Sequence, residues 1–359
     1  MWLYVAVVLV GLYLLRRWHR ERQMVPGLPE KYVLITGCDS GFGNLLARQL
    51  DARGLRVLAA CLTETGAAQL RAATSPRLQT LLLDVTSSQS IAAATAWVQE
   101  CVGDRGRIGQ PPHPCPPVCW HSQCWSGAVG GGAASAHPVC VSSVHPGLWG
   151  LVNNAGVSVP TASNEWLTKD DFVKVLDVNL VGLIEVTLSL LPLVKRARGR
   201  VVNVASVMGR ISFFGGGYCI SKFGVEAFSD SLRIEMRDFG VKVSIIEPGY
   251  FKTMITSTKS LEKNLISIWE KLPEETKASY GENYLKKCLL VTRDMEKKCN
   301  PNLALVTNCM EHALTCRYPR TRYSAGWDAK LFYIPLSYLP SALTDIVFSW
   351  SHPTPAQRA

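Results

Sequence analysis

Val33-Leu34-Ile35-Thr36 is a short apolar run, and Gly37-Cys38-Asp39-Ser40-Gly41-Phe42-Gly43 follows it without a break. Leu45, Leu46 and Leu50 then recur at helical spacing. No other feature constrains the fold as much, because strand, glycine turn and helix in that order open a parallel-sheet unit. Glycines at such a turn let the backbone approach a pyrophosphate, and the helix N-terminus stabilises its negative charge. A glycine set alone matches many turns by chance. Here a second apolar strand, Leu55 to Cys61, follows the helix and makes the context specific. The expected fold class is α/β: a Rossmann-like, doubly wound parallel sheet in a single domain.

Composition supports one large core. The chain has 359 residues, 47% hydrophobic and 18% charged, enough apolar content to exclude disorder for most of its length. The formal charge of +10 suggests nucleic acid, but the basic residues form no stripe with interleaved aromatics and no recognition motif appears. Twelve cysteines at irregular spacings do not make a disulfide framework in a chain this long. No metal site is expected.

Written as Thr36-Gly37-x-x-x-Gly41-x-Gly43, the turn resembles that of the short-chain dehydrogenase/reductase family, and further motifs follow in order. Leu81-Leu82-Leu83-Asp84-Val85-Thr86 is similar to the third strand with its adenine-contacting aspartate, Asp84. Asn153-Asn154-Ala155-Gly156 matches the motif at the end of the fourth strand. Asn179 lies in an amphipathic helix that a Thr168…Asp171 capping box can open. Val201 to Ser206 is a strand ending in serine, Tyr218-x-x-x-Lys222 follows it, and Glu247-Pro248-Gly249 closes the series with Thr253 beyond. The resemblance implies that Gly37, Ser40, Gly41, Phe42, Gly43, Asp84, Asn153, Ala155, Gly156, Pro248, Gly249 and Thr253 hold a nicotinamide dinucleotide, with Tyr218 and Lys222. It also implies that Asn179 orders a water linking Lys222 to solvent.

The catalytic chemistry can be argued from the residues. Tyr218 and Lys222, four apart on a helix, share a face. Free tyrosine, with a pKa near ~10, is a poor base at neutral pH. A lysine ammonium and an oxidised nicotinamide beside it favour the phenolate. Tyr218 then accepts the proton of a substrate hydroxyl while hydride leaves the carbinol carbon, and Ser206 hydrogen-bonds the same oxygen. The cofactor is expected to be NAD rather than NADP. Cys61 and Leu62 stand where an acid or a base would decide the matter, Asp39 lies in the glycine loop, and a 2′-phosphate lacks an obvious cationic partner.

Met1 to Leu15 is apolar, and Arg16-Arg17-Trp18-His19-Arg20 follows. Positive charge after the apolar run, with no small-residue cleavage site, argues for an uncleaved anchor rather than a secretory signal. At ~1.5 Å per residue it is short for a ~30 Å hydrocarbon core, and snorkelling arginines extend it. The competing reading is a helix packed on the protein's own core. The positive-inside rule puts the catalytic domain on the cytosolic side. Residues 331–350 form a second apolar stretch, interrupted by Pro335 and Pro340, which reads as a membrane-skimming or substrate-roofing segment or an ordinary core element.

The stretches Ile35–Gly43, Gly215–Gly224 and Pro319–Lys330 resemble the microsomal retinol-dehydrogenase branch of the family. That resemblance implies an endoplasmic-reticulum membrane enzyme oxidising retinol to retinal and 3α-hydroxysteroids to ketones. Its partners are then a small lipophilic alcohol and membrane lipid, with a homodimer left open. Leu261, Leu265, Ile268 and Trp269, and a helix started by Asn300-Pro301 through Leu305, Cys309 and Leu314, are expected either to wall an apolar pocket or to serve as ordinary core. An NADP-linked carbonyl reductase and a catalytically silent lipid-binding homologue remain the alternatives.

Residues 107–146 differ in kind: seven prolines, five glycines and four cysteines, with Arg107 the sole charge. Cys115, Cys119, His121 and Cys124 lack a standard zinc spacing. The segment reads as an in-frame retained intron or a mispredicted exon boundary, since Gly106-Arg107 and Pro146-Gly147 can encode splice signals, and it is expected to be disordered. The expected organisation is an anchor and basic flank at 1–22, a catalytic domain at 30–254 holding that insertion, and a substrate-covering, membrane-facing extension at 255–359.

Overall fold

A computed structural model describes residues 1–103, 147–350 and 353–357. The chain runs α1 (Trp2–Glu21), β1 (Tyr32–Thr36), α2 (Gly41–Ala52), β2 (Arg56–Cys61), α3 (Glu64–Ala72), β3 (Gln79–Leu82), α4 (Ser88–Cys101) and β4 (Leu148–Asn153). It continues through α5 (Lys169–Leu176), α6 (Gly182–Arg196), β5 (Arg200–Val204), α7 (Gly217–Glu235) and β6 (Lys242–Pro248). The remainder comprises α8 (Thr258–Glu270), α9 (Glu274–Tyr280), α10 (Glu282–Lys298), α11 (Ala304–Thr315), β7 (Arg322–Ala325), α12 (Ile334–Leu336) and α13 (Ser341–Ser349).

The strands form one seven-stranded sheet in the order β3-β2-β1-β4-β5-β6-β7, and every pairing is parallel. A parallel sheet must be covered on both faces, which is why Val33, Leu34 and Ile35 are all fully buried. Val33 and Ile35 pack with α2 and α11 residues such as Leu46, Leu50 and Leu314, while Leu34 joins Val98, Val186 and Leu190 on the other face. The chain winds outward from β1 in one direction and from β4 in the other. The crevice therefore opens between the C-terminal ends of β1 and β4, the switch point where such sheets bind ligands.

Thr168 opens α5 through the expected reciprocal capping box with Asp171. α5 runs into α6 through a π-helical turn, Asp177–Val181. Among the described residues, the stretch Lys169–Arg196 is long and apolar enough to cross a membrane by length and composition. Its side chains instead build the core beneath β4 and β5, with Val175, Val186, Leu190 and Leu193 buried. At α1 the reverse holds: Trp2, Tyr4, Val8, Leu9, Leu12 and Leu15 are all exposed, so this helix is not packed along the domain's core.

The C-terminal apolar residues take the ordinary-core alternative. Leu265, Ile268 and Trp269 pack with Trp166, Tyr280 and Tyr284 in a separate cluster of α8, α9 and α10. α11 lies on the back of the sheet, where Leu314 and Val306 are fully buried, because that face of β1, β4 and β5 would otherwise be open to water. The segment 107–146 lies outside the described residues, as does its expected disorder. Its flanks do show where it attaches: α4 ends at Cys101 and β4 begins at Leu148, at the strands' N-terminal edge, opposite the glycine loop.

Candidate active site

Tyr218 stands in the first turn of α7, preceded by three glycines. Gly216 takes φ +98°, a left-handed value that favours glycine. A Cβ on Gly217 would come within 2.9 Å of Phe172 O and Val175 Cβ, so the glycine lets α7 seat directly on α5. One turn on, Lys222 Nζ donates to Val204 O at 2.8 Å and lies 5.6 Å from the Tyr218 ring centre. Ser206 follows β5 next to Tyr218, whose proton it makes easier to lose; its Oγ accepts from Met208 N at 3.1 Å.

Asn179 is fully buried in the π-helical turn. Its amide donates to Val157 O at 2.8 Å and Ser221 Oγ at 3.0 Å, and its Oδ1 accepts from Val157 N at 2.8 Å. A Cβ on Gly156 would lie 3.3 Å from Asn179 Oδ1 and 3.8 Å from Lys222 Nζ. Gly156 thus keeps a small space between the two, of the kind a bridging water requires.

Burial dominates the titration of this group. It pushes Tyr218 up to about 12 against the opposing pull of Ser206, and pulls Lys222 down to about 8. The expectation that the Lys222 ammonium and an oxidised nicotinamide together favour the phenolate concerns the cofactor-bound site; in the chain by itself burial sets the direction. The positive charge needed to favour the phenolate has to come from a bound group as well.

The other end of the crevice is a backbone cradle. Gly37 has φ +69°, and a Cβ there would meet Ala155 Cα at 2.8 Å; one on Gly43 would meet Gly37 O at 2.3 Å. Above Gly41, at φ +61°, the nearest neighbour of such a Cβ is Thr253 Cγ2 at 3.9 Å. The glycine loop and the loop after β6 thus face one another, close enough that a side chain on Gly41 would touch Thr253. Ser40 precedes α2 without capping it, leaving the first N–H groups of the helix for an anion. These features fit a dinucleotide.

Several other expected cofactor residues fall at the same edge in different roles. Asp84 follows β3 and accepts from Thr86 N at 2.9 Å and Thr86 Oγ1 at 2.7 Å. Phe42 turns its ring onto Phe251, 5.7 Å between centres. The Asn153 side chain is buried in the sheet, donating to Thr187 Oγ1 and Asn203 Oδ1 at 2.8 Å each. The following residue, Asn154, clamps the glycine loop through Thr36 O at 3.0 Å and Gly37 O at 3.1 Å. Pro248 ends β6, and Gly249 lies beside Asp328, whose Oδ2 accepts from Tyr250 N at 2.7 Å.

Asn154 falls inside the Asn-Asn-Ala-Gly motif without its clamping role being readable there, and Asp328 reaches Tyr250 across 78 residues. In sequence Asp39 is legible only as an acid in the glycine loop. Its carboxylate accepts from Leu62 N at 2.7 Å and from Thr63 N and Oγ1 at 2.9 and 2.7 Å. It therefore occupies the end of β2, the place left vacant by Cys61 and Leu62.

An aromatic wall flanks Tyr218. Phe214 stacks on it at 6.3 Å and meets Phe213 edge-on at 5.5 Å. Phe348 of α13 lies on Phe213 at 4.2 Å and 14°, and Tyr333 reaches Tyr250 at 5.7 Å. Met208, Ile211 and Leu336 complete this cluster. The arrangement can hold an apolar alcohol with its oxygen at Ser206 and Tyr218.

The family model described as short chain dehydrogenase matches residues 31–107 and 139–264. Retinol dehydrogenase 16 of Homo sapiens is 58% identical over 357 residues, covering 99% of each chain. The 17-beta-hydroxysteroid dehydrogenase type 6 of Homo sapiens is 56% identical over 358 residues, again covering 99% of each. A solved short-chain dehydrogenase from Streptomyces avermitilis shares the fold at 22% identity and TM-score 0.60, with 89% of this chain and 96% of that one covered.

Proposed function

The chain belongs to the short-chain dehydrogenase family and is an oxidoreductase; from that premise we propose that it oxidises a lipophilic secondary or allylic alcohol, retinol or a hydroxysteroid, with NAD. The observation that carries the reading is Tyr218 with Ser206 and Lys222 beside it, set against the aromatic wall of Phe213, Phe214, Tyr333 and Phe348. The names of the two human relatives, a retinol dehydrogenase and a 17-beta-hydroxysteroid dehydrogenase, favour the same substrate class.

Tyr218 takes the hydroxyl proton, Ser206 holds the same oxygen as charge develops, and Asn179 with Gly156 keeps a proton path open behind Lys222. A bound nicotinamide dinucleotide supplies the hydride acceptor. Ser40, Gly41 and the N-terminus of α2 hold its pyrophosphate, and Pro248, Gly249 and Thr253 border its nicotinamide. NAD is favoured because the Asp39 carboxylate, fixed at the end of β2 by three hydrogen bonds, accepts a ribose hydroxyl and repels a 2′-phosphate. α1 serves as a membrane anchor, since its apolar side chains are exposed, and the enzyme resides in the endoplasmic-reticulum membrane. Residues 107–146 interrupt the catalytic domain at the edge away from this chemistry.

Membranes carrying the chain, assayed with retinol or a hydroxysteroid and NAD, test the reading. Tyr218→Phe is expected to lower turnover by about 10²–10⁴-fold while NAD binding persists. Undiminished turnover in that variant overturns the assigned base, and a strong NADPH preference overturns the cofactor assignment.

A further inference from the structure

The junction between α1 and the catalytic domain gathers Arg16, Arg17, Arg20 and Arg22 with Arg317 and Arg320, all exposed. Glu21 pairs with Arg17 Nε at 2.8 Å and Arg320 Nε at 2.7 Å. Among the described residues, Arg16, Arg20, Arg22 and Arg317 have no carboxylate partner. Two of them share one ring: Arg20 lies 4.2 Å and Arg317 5.6 Å from the centre of Tyr318. Arg22 covers Trp18 at 3.6 Å. A guanidinium stacked on a ring keeps its N–H edges directed outward, where they suit bidentate oxygen acceptors.

The two halves of this collar are held in register. Arg317 N donates to Gln23 O at 2.7 Å, Val25 N to Thr315 O at 2.8 Å, and Met24 forms an antiparallel bridge with Cys316. His312 Nε2 lies 2.9 Å from Glu21 O. On one side of the collar stands the exposed apolar rod of α1, and on the other the folded domain. A phosphate-bearing surface at the boundary between hydrocarbon and water is the environment that matches both the charge and the exposed rings of Trp18 and Tyr318.

We propose that this collar is a binding surface for anionic phospholipid headgroups, joining the domain residues Arg317 and Tyr318 to the basic flank of the anchor. It rests on the reading of α1 as a membrane anchor. Because the junction is stapled by backbone hydrogen bonds, headgroup binding also fixes how the catalytic domain stands on the bilayer.

The full chain is reconstituted into phosphatidylcholine vesicles containing a minor fraction of pyrene-labelled phosphatidylserine, extracted in mild detergent, and its retained lipid is measured. The expected result is enrichment of phosphatidylserine by about tenfold or more, undisturbed by millimolar inorganic phosphate. R20Q/R22Q/R317Q is expected to lose it, and R20K/R22K/R317K to keep most of it, which separates lost charge from lost fold. Retained lipid of the vesicle's own composition overturns the proposal, as does competition by free phosphate or undiminished enrichment in the glutamine variant. Flotation with pure phosphatidylcholine vesicles in high salt tests the anchor alone. Failure to float overturns the anchor and the collar together, whereas flotation without enrichment overturns only the collar.

Discussion

Tyr218 and Lys222 are both pushed by burial towards their neutral forms, to about 12 and about 8. For Lys222 the folded value lies below the ordinary 10.5, so the unfolded chain binds more protons between those two values. Its burial costs stability at neutral pH, and the cost is relieved as pH rises from about 8 towards 10.5. Alcohol oxidation, which needs the Tyr218 phenolate, is expected to rise with pH over the same alkaline range. Asp39 acts at the opposite end of the crevice. Asp39→Ala removes the charge that opposes a 2′-phosphate and is expected to shift the NADP:NAD ratio of kcat/KM towards NADP by about tenfold, the worth of roughly 1.4 kcal/mol; parallel kinetics with the two cofactors check it. Residue chemistry of this kind was partly legible beforehand. The four-residue Tyr–Lys spacing announces a shared helix face, but the sign of the tyrosine shift depends on how completely α7 is covered, which no spacing encodes.

At the scale of elements, the glycine-rich approaches explain why α2 and α7 begin where they do. Cβ atoms at Gly43 and Gly217 would run into Gly37 O and Phe172 O. The C-terminal elements divide by task in a way that periodicity alone does not reveal. α8 and α11 have the apolar repeats of pocket walls, yet one closes a satellite cluster and the other covers the sheet. The wall beside Tyr218 comes instead from Phe213 and Phe214 and from α12 and α13, where Leu336 and Phe348 turn inward while Leu343, Ile346 and Trp350 stay exposed. Phe348→Ala is expected to raise KM for a long lipophilic alcohol by about tenfold, within the ~1–3 kcal/mol of an apolar contact. The same change is expected to leave kcat for a small secondary alcohol near its original value, and steady-state kinetics on the two substrates separate the outcomes.

Across the whole molecule, a charged network ties the last strand to the catalytic helix. Arg322 of β7 meets Glu226 of α7 at 3.0 Å and Asp230 at 2.6 Å, while Arg210 joins Glu247 of β6 at 3.3 Å to Tyr338 at 2.8 Å. Burial first, then repulsion from Glu247, raises Glu226 to about 7, with Arg322 opposing. The folded chain therefore holds a proton that the unfolded chain releases near 4.5. The stability this contributes is full below that value and is lost as pH climbs through about 7. Glu226→Gln is expected to change little at pH ~5 and to raise Tm by a few degrees at pH ~8, as measured by thermal unfolding across that range.

The sequence by itself pointed to the parallel α/β sheet, the position of its crevice and the shared helix face of Tyr218 and Lys222, because these depend on local order: strand, glycine turn, helix, and one turn between two side chains. It also located the apolar rod of α1. Tertiary structure alone decided that Asn154 rather than Asn153 clamps the glycine loop, and that Asp39 fills the end of β2. It likewise decided that Asp328 braces the Pro248-Gly249 turn, that Phe348 completes the aromatic wall, and that Arg317 joins the anchor's arginines. Each of these is a contact between elements far apart in the chain. Which side chains meet there is fixed by the packing of covered faces, not by any periodicity along the strand or helix that carries them.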